Sequence, residues 1–159
     1  MGVVLCTGDK LARTIVGVAQ VVDSYNADND IKVWSNLKLY SIRYAPLTIE
    51  QLATNKVQNS FVIFDISSSK DFEVSKLLMR VRKLNLNLIL IIYDKVTEQF
   101  QRLRRFADKQ YECDYSKETN NITCVINDFV KKKKQVVEVY APQYFKYIDT
   151  RGLGIRSPL

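Results

Sequence analysis

The sequence has 159 residues, of which 47% are hydrophobic and 26% charged, and this length and composition are typical of one globular domain. No apolar run approaches the roughly 18 residues that a membrane span needs, and residues 1–9 lack the basic segment of a signal peptide. The absence of histidine excludes Ser-His and Cys-His nucleophile pairs, whereas the net charge of +7 favours an anionic partner.

The first third of the chain predicts a strand, a long helix and a second strand region. Residues 3–7 are apolar, and residues 10–26 repeat apolar side chains at helical spacing. The turn between them, Thr7-Gly8-Asp9-Lys10, matches neither GxGxxG nor GxxxxGK[ST]. Because residues 18–151 contain no glycine, no other segment offers a glycine-rich phosphate loop. Residues 31–44 alternate as one long strand or two short ones, and residues 48–55 predict a short helix.

Two apolar runs in the middle of the chain each end on an aspartate. Residues 60–65 end at Asp65 and residues 87–94 end at Asp94, and an amphipathic helix separates them. Uninterrupted apolar runs of this length are typical of parallel strands buried on both faces. Ligands of such sheets bind beyond the carboxyl ends of the strands. The sequence therefore predicts a candidate edge that carries the strand-end acids Asp9, Asp65 and Asp94.

The remaining pattern predicts a basic helix over residues 97–109, a weaker strand over 110–115 and a last helix over 121–134. These elements complete five β-α units, which predict a three-layer α/β/α sandwich around a five-stranded parallel sheet of order 2-1-3-4-5. The predicted domain covers residues 1–134. Residues 135–159 form a C-terminal extension that serves as an edge strand, a linker or a dimer contact.

This element order resembles the receiver domains of response regulators, in the flavodoxin-like class, over about residues 3–130. The resemblance rests on Phe61-Val62-Ile63-Phe64-Asp65 and on Phe106-Ala107-Asp108-Lys109-Gln110-Tyr111. It implies that Asp65 is the phosphoacceptor candidate. Only Asp9 matches the family's pair of metal-binding acids, Tyr93 stands where a Ser or Thr is expected, and Lys117 comes about three residues late. The resemblance therefore implies a degenerate pseudo-receiver.

The function predicted from this resemblance is a non-catalytic regulatory or protein-interaction module, not an enzyme, that needs no cofactor and no metal. One alternative is a phosphorylatable receiver that uses Asp65, or a flavodoxin-like domain that binds a small ligand. Another is a basic protein associated with nucleic acid. Seven cations are the candidates for binding an anionic partner: Arg102, Arg104, Arg105, Lys131, Lys132, Lys133 and Lys134.

The expected partners are a protein and, for the apolar tail of residues 135–148, a second copy of the chain in a homodimer. Nucleic acid is a further candidate partner, and a membrane is not. The alternative for the tail is packing on its own sheet. Three cysteines without metal-binding spacing favour reduced thiols in the cytoplasm, each packed as a small hydrophobic side chain.

Overall fold

A computed structural model describes residues 2–48, 57–66, 80–93 and 97–151, together with Gln51 and Leu78. Within these residues, eight strands form one mixed sheet of order β3-β2-β4-β5-β1-β6-β7-β8. The strands are β1 (Gly2–Gly8), β2 (Lys32–Ser35), β3 (Ala45–Pro46), β4 (Ser60–Asp65), β5 (Asn87–Ile91), β6 (Lys109–Tyr115), β7 (Asn121–Asp128) and β8 (Lys133–Tyr140). The helices are α1 (Lys10–Ala27), α2 (Val81–Leu84), α3 (Thr97–Arg104) and a 3-10 helix (Ala141–Tyr147).

The strands β1 to β6 are parallel, and the two apolar runs form β4 and β5 at the centre of this region. Ile63 and Ile89 face the core beneath α1, whereas Phe64 and Leu90 face the opposite core beneath α2 and α3. Because both faces are covered, the runs have no polar alternation. The prediction that these runs are buried, adjacent and parallel is confirmed at β4 and β5.

The predicted five-stranded flavodoxin-like sheet is wrong. That order places the first strand between the second strand and the strand that ends at Asp65, but β4 and β5 both lie between β2 and β1. The sheet also continues past β6 into two antiparallel strands. The same succession of apolar strands and helices fits either order. Which strands become neighbours depends on how complete apolar faces pack, and the local pattern does not encode this.

The first helix agrees with its prediction, because residues 10–26 were expected and α1 spans Lys10–Ala27. Asp9 caps its start, where a carboxylate oxygen accepts a hydrogen bond from the Ala12 backbone N–H at 2.8 Å. Most of the helix predicted over residues 48–55 lies outside the described residues. The same is true of the helix predicted before β5, of which the described part includes α2 at its end. The basic helix predicted over residues 97–109 is shorter, because α3 ends at Arg104.

The helix predicted over residues 121–134 is wrong, because this segment forms β7, a turn and the start of β8. Ile122, Val125, Ile126, Phe129 and Val130 have helical spacing, but burial follows a two-residue period. Ile122 and Cys124 are completely buried, while Val130 is 68% exposed. β-branched side chains favour the strand, and the turn is closed by Asp128, whose carboxylate accepts the Val130 and Lys131 backbone N–H groups.

The C-terminal segment packs against its own chain. The boundary predicted after residue 134 falls within β8, which pairs with β7 from end to end. The following 3-10 helix buries Ala141 and Tyr147 in the core beneath α1, and the Tyr144 hydroxyl donates to the Asp23 carboxylate at 3.0 Å. Burial and this bond raise the pKa of Tyr144 to about 12. None of the described helices is long and apolar enough to cross a membrane.

Candidate functional site

The connection between β1 and α1 lies at the carboxyl edge of the sheet and consists of Asp9 alone. Gly8 has a φ of +111°, and a Cβ on it would lie 1.9 Å from the Cys113 carbonyl oxygen, so only glycine fits. One Asp9 carboxylate oxygen accepts the Ala12 N–H, and the other accepts the Tyr115 N–H at 2.9 Å. Asp9 therefore holds the helix start against the end of β6, and this connection leaves no loop to enclose a phosphate.

A buried arginine lies beside this connection. The Arg13 side chain is only 6% exposed, and its Nη1 donates to the Gly8 carbonyl oxygen at 2.9 Å. The centre of its guanidinium lies 5.4 Å from the centroid of the Tyr93 ring. Its Nε is buried without a hydrogen-bond partner among the described residues. Sequence reasoning placed Arg13 within a helix and overlooked it, because nothing in the pattern shows that an arginine is buried.

The other strand-end acids were predicted to share this edge. Asp65 ends β4, is half-buried, and lies opposite Ile91 of β5. The Asn36 side chain clamps the Asp65 backbone, accepting its N–H at 2.7 Å and donating to its carbonyl at 2.8 Å. Sequence reasoning recorded Asn36 only as a break in a strand. Asp94 lies outside the described residues. Within the described residues, no group of three or more acids or cysteines is arranged to hold a metal ion.

The predicted cations lie at or beside α3 and the β7–β8 turn, at the opposite, amino edge of the sheet. The helix α3 ends just before β6 begins, and the β7–β8 turn lies beside the same point, where the Phe129 N–H donates to the Asp108 carbonyl at 2.9 Å. The Arg104 guanidinium lies 5.3 Å from the centroid of the Phe129 ring and joins the two elements. We call the seven exposed side chains on these elements the basic end surface: Arg102, Arg104, Arg105, Lys131, Lys132, Lys133 and Lys134.

Two acids beside the basic end surface are held by backbone groups. Asp128 closes the β7–β8 turn, and its pKa is lowered first by the hydrogen bond from the Lys131 backbone. The Asp108 carboxylate accepts the Val3 N–H at 2.8 Å. A shallow depression of about 400 Å³ also lies here, and Glu98, Gln101, Arg102 and Arg105 line it. The surface is therefore dominated by positive charge, with planar guanidinium groups and mobile ammonium groups side by side.

Comparisons with solved structures identify the fold. The RadB recombinase is similar to this chain with a TM-score of 0.61 and 12% identity, covering 86% of each chain. The genome packaging NTPase of Sulfolobus turreted icosahedral virus 2, bound to AMPPCP, gives a TM-score of 0.60 and 12% identity over 85% of this chain and 96% of that one. The flagellar accessory protein FlaH of Methanocaldococcus jannaschii gives a TM-score of 0.53 and 10% identity, over 88% of this chain and 87% of that one. No protein-family model and no curated protein sequence matches.

The fold that the chain shares with these structures is RecA-like and is not that of a receiver domain. The sheet order separates the chain from the receiver prediction, since β4 and β5 lie between β2 and β1. The predicted receiver-like, non-catalytic regulatory module is wrong, and so is the alternative of a phosphorylatable or flavodoxin-like domain. The prediction that the chain is not an enzyme is overturned too, because proteins that share the fold are described as NTPases and ATPases.

Proposed function

We propose that this chain binds duplex DNA through the basic end surface. The observation that carries the proposal is the contact between Arg104 and Phe129. It brings an arginine-rich helix and a lysine-rich turn, which are separated by two strands in the sequence, into contact at one end of the sheet. A solvated helix face alone would not need a second basic element beside it.

The residue types suit a phosphate backbone. Arginine presents a planar fork that pairs with two phosphate oxygens, and lysine contributes a mobile point charge. Phosphate contacts of this kind position a protein on nucleic acid without reading its sequence. Among the proteins that share the fold, one is described as a DNA-packaging ATPase and another as a recombinase. These names support DNA as the anion to test first.

The proposal is tested by fluorescence anisotropy with a short labelled duplex at increasing salt. If all seven cations contact phosphates, log K should fall against log salt with a slope of about −6, so affinity should drop roughly four thousandfold between about 50 and 200 mM salt. Replacing Arg102, Arg104 and Arg105 with Gln should make the slope less steep by about 3. Single-stranded DNA and RNA of equal length serve as competitors.

A matched control removes the same charge elsewhere: Lys38, Lys117 and Lys146 are exposed and lie off this surface. Their triple replacement with Gln should leave the salt slope nearly unchanged. Equal losses in the two triple variants would show that only net charge matters and would overturn the proposed surface. Tighter binding of RNA or of single strands than of the duplex would overturn duplex DNA as the partner.

A second candidate function, nucleotide binding at the carboxyl edge, is favoured by the buried Nε of Arg13, which has no hydrogen-bond partner among the described residues. Structures that share the fold hold AMPPCP or ATPγS. Because Thr7-Gly8-Asp9-Lys10 provides no glycine-rich loop, we propose that Arg13 and Lys10 would hold the phosphates through their side chains.

Calorimetry with MgATP, followed by a phosphate-release assay, tests this candidate. We expect saturable binding that weakens in Lys10→Gln and in Arg13→Gln but not in Lys32→Gln, which changes an exposed lysine at the start of β2. Release of inorganic phosphate would make the chain an ATPase. No heat of binding in the unmodified chain would eliminate this candidate and leave DNA binding untouched.

The homodimer predicted from the sequence is also a proposal, now at the edge of β8 that pairs with no other strand of the described residues. This strand ends the sheet, and Val136 and Tyr140 on it are 64% and 53% exposed. Two copies could pair these edges around a two-fold axis. Light scattering should then detect a dimer that Val136→Lys dissociates, and a monomer at hundreds of micromolar would rule it out.

We propose a cytoplasmic location, which the free cysteines support.

A further inference from the structure

Two cysteines face each other across the antiparallel end of the sheet. Cys113 of β6 is directly opposite Cys124 of β7, and their sulfur atoms lie 3.7 Å apart. Both side chains are buried, with 1% and 0% exposure. The third cysteine, Cys6 of β1, lies in the same core, where its sulfur accepts a hydrogen bond from Gln20 at 3.4 Å.

The backbone geometry at this pair is already that of a disulfide. Directly opposite residues of antiparallel strands have Cα atoms about 4.5 or 5.5 Å apart, and both separations lie within the roughly 4.4 to 6.8 Å that a disulfide allows. The sulfur atoms would have to approach from 3.7 Å to about 2.05 Å. We expect rotation of the two side chains to supply this approach.

We propose that Cys113 and Cys124 form an oxidation site, where a small peroxide converts the two thiols into an intrachain disulfide. This inference is independent of DNA or nucleotide binding. A small oxidant is required because neither sulfur is open to the bulky disulfide of a protein or of glutathione. Sequence reasoning treated the three cysteines as inert, because the register that pairs two of them lies in the segment predicted as a helix.

The chemistry balances with hydrogen peroxide as the oxidant. The Cys124 sulfur displaces hydroxide from the peroxide and becomes a sulfenic acid, and the hydroxide leaves as water with the thiol proton. The Cys113 sulfur then attacks the Cys124 sulfur, forms the S–S bond and releases the second water with its own proton. The two thiols lose two electrons and two protons, and the peroxide is reduced to two waters.

The environment favours this pair over Cys6. The hydrogen bond with Cys113 lowers the pKa of Cys124, while the same bond and burial raise the pKa of Cys113. We therefore assign the first attack to Cys124 and the resolving step to Cys113, whose sulfur lies 3.7 Å away. Burial raises the pKa of Cys6 to about 12, so its thiolate is scarce.

The disulfide would close a short loop around the turn between β6 and β7. That loop includes Tyr115, whose N–H holds Asp9 at the start of α1. Closing it restricts the unfolded chain, and we expect the midpoint of thermal unfolding, Tm, to rise by roughly 5 to 10 °C. The oxidised chain should return to its original Tm when a reductant is added.

The test exposes the folded full-length chain to hydrogen peroxide, then denatures and alkylates it for mass spectrometry. We expect a loss of two hydrogens, alkylation of Cys6 alone, and a peptide that links Cys113 to Cys124. Three alkylated cysteines, a sulfinic or sulfonic acid at Cys124, or a disulfide that involves Cys6 or a second chain would each overturn the proposal.

Single variants sharpen this test. Cys6→Ala should still form the linked peptide and still gain in Tm, whereas Cys113→Ala and Cys124→Ala should lose both. A gain in Tm that survives in Cys124→Ala would overturn the assignment. If a variant does not fold, the proposal is tested by the peptide map of the unmodified chain, which shows whether Cys113 and Cys124 are linked.

Discussion

The parallel half of the sheet and its antiparallel end are stabilised in different ways. In β4 and β5 nearly every side chain is buried between two layers of helices, and Ile63, Leu88 and Leu90 have no exposed surface. In β8 only Val137 and Val139 are partly buried, against the core beneath α1. The first region depends on burial of apolar surface. The second depends on backbone pairing and on one covered face.

This contrast separates the side chains that maintain the fold from the exposed side chains that are candidates for binding a partner. The exposed side chains of the β7–β8 turn join those of α3 in the basic end surface, and no core packing depends on them. At the carboxyl edge, the Asp9 carboxylate is instead tied to the backbone N–H groups of Ala12 and Tyr115. Asp9 therefore serves the fold, while the seven candidate binding residues lie at the other edge.

The largest expected effect is that of deleting residues 135–159. The sequence alone predicts a folded, monomeric core after this truncation. The structure leads us to expect unfolding, because the deletion removes nearly all of β8 and the 3-10 helix that buries Ala141 and Tyr147 against the core beneath α1. Thermal unfolding followed by circular dichroism checks this. A chain that ends at Arg151 keeps these contacts and is the control, and an unchanged Tm after the longer deletion would show that the antiparallel end is separable.

Ile63→Asn tests the parallel half. The side chain is completely buried in the centre of β4, so an unpaired amide and lost packing should reduce the free energy of unfolding by about 2 to 5 kcal/mol. Val136→Asn on β8 is the matched change at the antiparallel end, where the side chain is 64% exposed. We expect it to cost about 0.5 kcal/mol or less. Equal losses in urea titrations would remove the contrast between the two regions.

The sequence predicts the parallel half better than the antiparallel end for a physical reason. The uninterrupted apolar runs at β4 and β5 have one stable environment, and Asp9 is a strong cap for α1. Ile122, Val125 and Ile126 fit a helix as well as a strand, and only the pairing of β7 with both neighbours decides between them. The order of strands in the sheet could not be predicted from the sequence pattern either, because tertiary packing determines which strands become neighbours. The resemblance to receiver domains rested on the order of elements along the chain, without knowledge of the strand order in the sheet.

The candidate site residues also differ in how far the sequence predicts them. The seven cations were recognisable from composition, but their assembly into one surface depends on Phe129 lying in a turn rather than in a helix. Arg13 and Asn36 carry no signal in the sequence, because their roles depend on Tyr93 and on the Asp65 backbone. Long-range contacts of this kind are set by the fold.

Asp9→Ala tests the junction between the two regions. The carboxylate caps α1 and also accepts the N–H at the end of β6, so its loss should reduce the free energy of unfolding by about 1 to 2 kcal/mol. Asp28→Ala is the control, since its carboxylate accepts only the exposed N–H of Asp30 in a turn. Chemical denaturation measures both. A smaller loss in Asp9→Ala than in Asp28→Ala would show that the junction contributes nothing.

The smallest expected effect concerns the contact between the C-terminal segment and α1. Tyr144→Phe removes the hydrogen bond to Asp23 and should cost about 1 kcal/mol at neutral pH. Because folding raises the pKa of Tyr144 to about 12, the stability that this hydroxyl contributes is complete below about pH 10 and is lost as the pH rises through 12. The variant should therefore lose less stability over that interval than the unmodified chain. Tyr140→Phe, at a 53% exposed position, should behave like the unmodified chain. Parallel curves of Tm against pH for all three proteins would show that the C-terminal segment is not held by this bond, and the antiparallel end would then depend on strand pairing and apolar packing alone.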